Sequence, residues 1–273
     1  MKTWNVAKIK ASKGIRKLAC VTAYDYAYAR LADEAGIPLI LVGDSLGMTM
    51  LGYGSTLPVT MEDMLHHTAA VVRGTANALV VGDMPFLSYQ ISIAEGLRNA
   101  GRFLQEAGAD AVKIEGGAIR SDLVKAFTQN GIPVLGHIGL TPQSVNVLGG
   151  YKVQGKTQEE GDRLVANAQS LAEAGVFAIV LECTPPDIGA AVTAAVPVPI
   201  ISVGAGPACD GQMLVMHDML GLTEHAPSKF VKTYASLAET TRLAFSAYAT
   251  EVQNGTFPGP EHCYAPSCPS PHP

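Results

Sequence analysis

Short unbroken apolar runs recur along the chain, at Leu18–Ala23, Leu39–Gly43, 78–82, 110–115, Pro133–His137, 177–182, Ile200–Val203 and around Leu214–Met216. Runs this short that do not alternate with polar residues predict strands buried on both faces, as in a parallel sheet. Helical stretches separate most of them. One spans Tyr26–Ala35 and stops at Gly36; another opens at Thr60-Met-Glu-Asp and reaches about Arg73. Ser92-Ile-Ala-Glu95 and Thr157-Gln-Glu-Glu160 have capping-box spacing and open helices that end at Gly108 and Gly175. A fifth covers about 118–130, a short one follows Pro186, and a long one is predicted from about Ser228 to Gln253. The basic, partly amphipathic residues 1–17 predict a short helix closing the bottom of the core. Strict alternation of strand and helix implies a parallel sheet with right-handed crossovers. Eight such units in about 250 residues match an α/β (β/α)8 TIM barrel. An open doubly wound sheet is the alternative. No linker divides the chain, so residues 1–260 read as one catalytic barrel and 261–273 as a Pro-rich, disordered tail.

Four of the runs stop on a polar residue: Leu39-Ile-Leu-Val-Gly-Asp44-Ser45, Leu79-Val-Val-Gly-Asp83, Ala111-Val-Lys113-Ile-Glu115 and Ile179-Val-Leu-Glu182. In either fold the carboxyl ends of the strands carry the site. Three carboxylates gathered there repel one another unless a cation joins them. Asp44, Asp83 and Glu115 are therefore candidate ligands for a hard divalent ion such as magnesium, which needs few carboxylates and keeps waters for exchange. Glu182 is a separate candidate acid or base. Lys113 and Glu115 flank Ile114 and share a face, the interior one in a barrel. Each residue also has a plainer reading. Asp44 fits a turn or N-cap, Lys113 with Glu115 a buried structural pair, His137 a hydrogen-bonded core residue, and Glu182 a partner for an Arg or Lys. Gly204-Ala-Gly206 with Asp210-Gly211 resembles an anion cradle or a tight turn. The stretches 45–59 and 139–156 lack helical period, exceed the usual strand–helix loop length and are candidate lids.

Of 273 residues, 48% are hydrophobic and 16% charged, with 19 basic and 24 acidic side chains for a net charge of −5. No basic cluster marks a nucleic-acid partner. No apolar run approaches the roughly 20 residues that span a bilayer, and the N-terminus lacks the apolar core of a secretory signal. The five cysteines are unpatterned, which argues against a disulfide framework and for a reducing cytosol. Cys263 and Cys268, in the tail, have no assigned role.

Read together, Thr22-Ala-Tyr-Asp-Tyr, Val42-Gly-Asp-Ser-Leu-Gly-Met, Ser55-Thr-Leu-Pro-Val-Thr, Val112-Lys-Ile-Glu-Gly-Gly, Gly136-His-Ile-Gly-Leu-Thr-Pro-Gln-Ser, Gly149-Gly-Tyr-Lys-Val-Gln-Gly and Asp210-Gly-Gln-Met-Leu-Val-Met-His-Asp resemble the ketopantoate hydroxymethyltransferases. The resemblance implies a (β/α)8 barrel that transfers a one-carbon unit from 5,10-methylenetetrahydrofolate to 3-methyl-2-oxobutanoate in pantothenate synthesis. On the matching positions it implies that Asp44, Asp83 and Glu115 hold Mg2+. It further implies that Asp44, Ser45, Asp83 and Lys113 contact the oxo acid, with His137 nearby, and that Glu182 accepts the proton. It also implies a cytoplasmic homo-oligomer, often a decamer. Two rival readings remain at this level. One is a magnesium barrel of the phosphoenolpyruvate mutase and isocitrate lyase type, against which the strand positions of the cysteines count. The other is a non-catalytic barrel that only binds.

Overall fold

The computed structural model describes residues 2–223 and 228–265. Its strands are β1 Leu18–Thr22, β2 Leu39–Val42, β3 Leu79–Asp83, β4 Ala111–Glu115, β5 Val134–Gly139, β6 Ala178–Glu182, β7 Ile200–Val203 and β8 Gly211–Leu214. They close in chain order into a barrel in which every neighbouring pair is parallel and β8 returns to β1. The open sheet is thereby excluded. The helices are α1 Val6–Lys10, α2 Tyr26–Glu34, α3 Leu46–Thr49, α4 Met61–Gly74, α5 Ile93–Gln105, α6 Ser121–Gln129, α7 Val145–Leu148, α8 Gln158–Ala174, α9 Pro186–Ala195, α10 Met216–Met219 and α11 Leu237–Gln253. Thr60 and Thr157 both close full capping boxes at the starts of α4 and α8.

Some boundaries differ from those the pattern predicts. The last strand lies at Gly211–Leu214, ahead of the apolar Leu214–Met216. Its Gly and the exposed Gln212 break the hydrophobic run, while Met213 alone points to the core. The long helix begins at Leu237 rather than Ser228. The stretch 45–59 contains the short α3, and 139–156 holds a 3-10 turn, Pro142–Ser144, followed by α7. Residues 260–262 of the chain end form one 3-10 turn. The rest of the predicted tail from 266 on, Cys268 included, lies outside the described residues.

Period-two alternation places Leu79, Val81 and Asp83 of β3 in one inward column, and Ala111, Lys113 and Glu115 of β4 in the next. Leu135 and His137 continue around the barrel on β5, then Ala178, Val180 and Glu182 on β6. Each column begins apolar and ends polar. The apolar starts form the core with Leu18, Cys20, Leu39, Leu41, Ile201 and Met213. Ile9 of α1 is fully buried within this cluster, so the N-terminal helix closes the amino-terminal end of the barrel.

That end is braced by acids that accept backbone N–H groups. Asp110 accepts Val80 N–H at 2.8 Å, and Asp210 accepts Ile200 N–H at 2.9 Å and Gly14 N–H at 3.0 Å. Asp33 accepts the N–H groups of Ala76, Asn77 and Ala78 and the Asn77 amide. Asp210 is also paired with Lys13 at 2.9 Å. A buried carboxylate there does not make an anion cradle, so the Gly204–Gly211 segment is a turn and a brace.

The described residues fall into two compact units, 2–216 with 228–231, and 217–223 with 232–265. The first contains the barrel. The second contains α11, which has no buried residue and exposes Leu243, Phe245, Tyr248 and Val252. Among the described residues no helix is long and apolar enough to cross a membrane.

Candidate active site

The polar ends of the inward columns meet at the carboxyl end of the barrel. Strand register pairs Asp83 with Lys113, Glu115 with His137, and Gly139 with Glu182. The Lys113 ammonium is 2.9 Å from Asp83 Oδ1 and 3.6 Å from Glu115 Oε1. Asp44, in the turn after β2, donates its backbone N–H to Asp83 Oδ2 at 3.1 Å. Asp44, Asp83, Lys113, Glu115 and His137 are all at most 4% exposed. Glu182 is the opening in this ring, with its side chain 18% exposed and His137 Nε2 at 3.2 Å from its Oε2.

Burial sets the protonation of the cluster. It raises the pKa of Asp83 to about 7, against the opposing pull of Lys113, and raises Glu115 well above the usual carboxylate range. Burial alone would discharge Lys113, but Asp83, Glu115 and Asp44 hold its pKa above the ordinary lysine value. Glu182 is pushed up to about 7 by burial, against Lys113, which places it where a general base works. His137 is driven well below the usual imidazole value by burial and by the neighbouring ammonium, and is therefore neutral. Its Nδ1 lies 3.1 Å from Lys113 Nζ, a donor only, so Nδ1 accepts and the ring proton sits on Nε2, which is 3.2 Å from Glu182 Oε2 without forming a hydrogen bond to it.

Ser45 is partly exposed and shares a 2.9 Å hydrogen bond with Tyr24 Oη, which in turn accepts from Thr22 Oγ1. All of the predicted site residues are thus gathered at one end of one barrel. The sequence reading assigns no role to Tyr24, Tyr89, Gln143 or Gly139, although Tyr24, Gly139 and Gln143 lie in stretches that carry the family resemblance. Gln143, from the 139–156 segment, reaches back into the acids. Its Nε2 donates to Asp44 Oδ2 and Met84 O, each at 2.9 Å, and its backbone N–H donates to Glu115 Oε2 at 3.0 Å. A lone polar residue after a proline in a loop carries no periodic signal. Gly139 has φ +90°, and a Cβ there would lie 2.2 Å from Glu182 O. Only glycine lets β5 end against Glu182. Cys183, directly after Glu182, is held at φ +48°, a left-handed conformation in which a non-glycine residue stores strain.

The acids also bear on whether a metal ion fits. Asp83 Oδ1 and Glu115 Oε1 are buried and accept no well-directed hydrogen bond, the nearby ammonium standing off the hydrogen-bond direction. Among the described residues no group of three His, Cys, Asp or Glu side chains could hold an ion as they stand. Magnesium takes one or two carboxylates directly and fills its other positions with water and substrate oxygens, so the donor set suits it without such a group.

A family model described as Ketopantoate hydroxymethyltransferase matches residues 3–260. The chain belongs to this family. The 3-methyl-2-oxobutanoate hydroxymethyltransferase of Moorella thermoacetica is 57% identical over 248 residues, covering 91% of this chain and 92% of that protein. The enzyme of the same name from Syntrophobacter fumaroxidans is 58% identical over 257 residues, covering 94% and 91%. Family membership makes the protein an enzyme, a hydroxymethyltransferase. Among solved structures, phosphoenolpyruvate phosphomutase from Streptomyces platensis subsp. rosaceus aligns with TM-score 0.61 at 15% identity, over 92% of this chain and 88% of that one. A phosphonopyruvate hydrolase complex with oxalate and Mg++ aligns with TM-score 0.61 at 14% identity, over 96% and 93%. At such identity the likeness is one of fold alone. Of the cysteines expected in strands only Cys20 lies in one, β1; Cys183 follows β6 and Cys209 precedes β8, so strand position does not set this chain apart. Burial pushes Cys20 and Cys183 up to about 12 and raises Cys209, which disfavours the thiolate at all three.

Proposed function

We propose that the enzyme transfers a hydroxymethyl unit from 5,10-methylenetetrahydrofolate to 3-methyl-2-oxobutanoate, giving 2-dehydropantoate through a metal-stabilised enolate, as a step of pantothenate biosynthesis. The observation that carries this reading is Glu182, its side chain 18% exposed and its pKa about 7, on the same barrel end as a buried Lys113 among three acids. Asp44, Asp83 and Glu115 would hold Mg2+ or a similar hard divalent ion, Glu115 directly or through water, and the ion would supply Lewis-acid stabilisation of negative charge on the keto oxygen.

The chain's own groups do the rest. Lys113 offsets the substrate carboxylate, and Ser45, kept in place by Tyr24, donates a hydrogen bond to the oxo acid. Glu182 takes the proton from C3. The neutral His137 stays beside the carboxylate that has just accepted it, so no second positive charge competes with Lys113. One C–N bond of the folate methylene opens to an iminium, the C3 carbanion equivalent attacks that carbon to form the C–C bond, and water replaces the remaining folate nitrogen as the second C–N bond breaks, leaving the hydroxymethyl group and releasing tetrahydrofolate. The apolar residues exposed along α11 support self-association into the homo-oligomer that the family resemblance implies, and light scattering of the purified protein tests it. Among the described residues Cys20, Cys183, Cys209 and Cys263 are free thiols, which agrees with a cytoplasmic location.

The test is exchange of the C3 proton of 3-methyl-2-oxobutanoate in deuterated water, followed by NMR with and without EDTA. Exchange that requires the divalent ion and disappears in Glu182→Gln is the expected result. Exchange that persists at wild-type rate in Glu182→Gln removes Glu182 as the base. No exchange and no product, even with folate donor and Mg2+ present, removes the reading itself.

A further inference from the structure

We infer that Gln143 is the positioning residue of the acidic cluster, holding Asp44 and Glu115 in the arrangement that receives the divalent ion. The inference rests on the metal reading given above. Gln143 is 5% exposed and spends its whole hydrogen-bonding capacity within the site. Its two amide protons go to Asp44 Oδ2 and Met84 O, both at 2.9 Å. Its Oε1 accepts from Tyr89 Oη at 2.7 Å and from Gln90 Nε2 at 3.1 Å. This pattern fixes the orientation of the amide, because the flipped form would set its carbonyl against a carboxylate and a second carbonyl. Tyr89 Oη is itself anchored by Glu115 N–H at 3.0 Å, and the Gln143 backbone N–H returns to Glu115 Oε2 at 3.0 Å. The circuit therefore joins the loop after β2, the loop after β3, the end of β4 and the loop after β5.

The consequence for the carboxylates is specific. Each of the three acids has one oxygen engaged by a neutral N–H: Asp44 Oδ2 by Gln143 Nε2, Glu115 Oε2 by Gln143 N, and Asp83 Oδ2 by Asp44 N. Gln143 supplies two of the three. The oxygens that no N–H of this circuit engages are Asp44 Oδ1, Glu115 Oε1 and Asp83 Oδ1; the last two are buried, form no well-directed hydrogen bond, and lie 3.6 and 2.9 Å from the Lys113 ammonium. A neutral amide is suited to this task because it restrains the acids without neutralising them. Lys113 alone supplies positive charge among them. Outer partners of this kind typically alter metal affinity by about 10–100-fold.

The test is Mn2+ affinity of the substrate-free protein, read from the electron paramagnetic resonance of free Mn2+, for wild type, Gln143→Met and Tyr89→Phe. Met matches the length of Gln; its side chain donates nothing, so the bonds to Asp44 and Met84 are lost, while the backbone N–H to Glu115 Oε2 is kept. The expected result is a Kd raised about 10–100-fold in Gln143→Met and raised less in Tyr89→Phe; the melting temperature in EDTA falls in Gln143→Met, because the Tyr89, Gln90, Asp44 and Met84 partners are left unpaired, so Kd is the deciding readout. A merely structural role would lower the melting temperature in EDTA and leave Kd alone. Wild type that binds Mn2+ with Gln143→Met unchanged within twofold overturns the role of Gln143 only. Wild type that binds no Mn2+ overturns the metal reading and this inference with it. Where Gln143→Met does not fold, Tyr89→Phe decides: a weakened Kd supports the circuit and an unchanged one overturns it.

Discussion

Replacing Gly139 by alanine should damage the enzyme through one atom. The new Cβ would stand 2.2 Å from Glu182 O, 3.0 Å from Glu182 N and 3.2 Å from Glu182 C. These are backbone atoms, so no rotamer change relieves them. A comfortable carbon–oxygen contact is about 3.3–3.6 Å, so the end of β6 must retreat by about 1 Å. Alanine at φ +90° adds about 1–2 kcal/mol of left-handed strain, and overpacking adds about 1–3 kcal/mol. The stiffer unfolded chain returns about 0.4–1 kcal/mol. The net expectation is a loss of about 2–4 kcal/mol in urea unfolding. The functional loss is of the same order, because a 1 Å displacement of a reacting group costs about 100-fold in rate, or about 2.7 kcal/mol. The Leu140 N–H bond to Glu182 O, 2.9 Å long, is the contact that should break. C3-proton exchange and kcat should therefore fall together, with KM for the oxo acid changed little, since Asp83 and Lys113 lie on other strands. A Gly139→Ala protein with stability within 1 kcal/mol of wild type and undiminished exchange would refute the claim that this contact sets the base.

Other expectations follow from the same geometry. Glu182→Gln should bind the oxo acid nearly normally and lose about 100- to 10,000-fold in rate, measured by stopped-flow and substrate titration. In the wild type the base must be unprotonated, so with its pKa at about 7 the rate should fall as pH drops below neutrality, a limb missing in the Gln variant. Lys113→Met leaves Asp83 and Glu115 buried without their cation and should cost about 3–5 kcal/mol in urea unfolding with EDTA present. A loss under 1 kcal/mol would show that the acids are relieved some other way. Asp33→Ala should cost about 1.5–3 kcal/mol and leave kcat unchanged, because Asp33 braces the opposite end of the barrel.

The architecture was legible because buried parallel strands are written as unbroken apolar runs, and the seven runs without an early glycine coincide with β1–β7. β8 was displaced because Gly211 and Gln212 dilute its pattern, and only Met213 reaches the core. The acids were legible for a related reason: a charge at the end of an apolar run has no place in the core, so Asp83, Glu115 and Glu182 announce a change of surroundings. The residues that orient them were not. Gln143, Tyr89 and Tyr24 act through hydrogen bonds between segments far apart in the chain, such as the 2.9 Å contact from Gln143 to Asp44. No local period encodes such a contact. Gly139 was visible as a glycine, but its reason lies in β6.

The braces at the amino-terminal end give the barrel an axial polarity in its response to acid. Burial works to raise Asp33, but the N–H groups of Ala78, Asn77 and Ala76 outweigh it and hold the carboxyl below its ordinary value. The stability Asp33 contributes is present above the unfolded carboxyl value and is lost only as pH falls through its lowered native one. At the other end Asp83 sits at about 7, so in ion-free protein its contribution is full below the unfolded value and drains away as pH rises toward neutrality. Mild acid thus protonates Asp83 and relieves the charge crowding at the carboxyl end of the barrel, while Asp33 at the other end stays ionised. With no ion bound, the protein should withstand urea better at pH 5–6 than at pH 8.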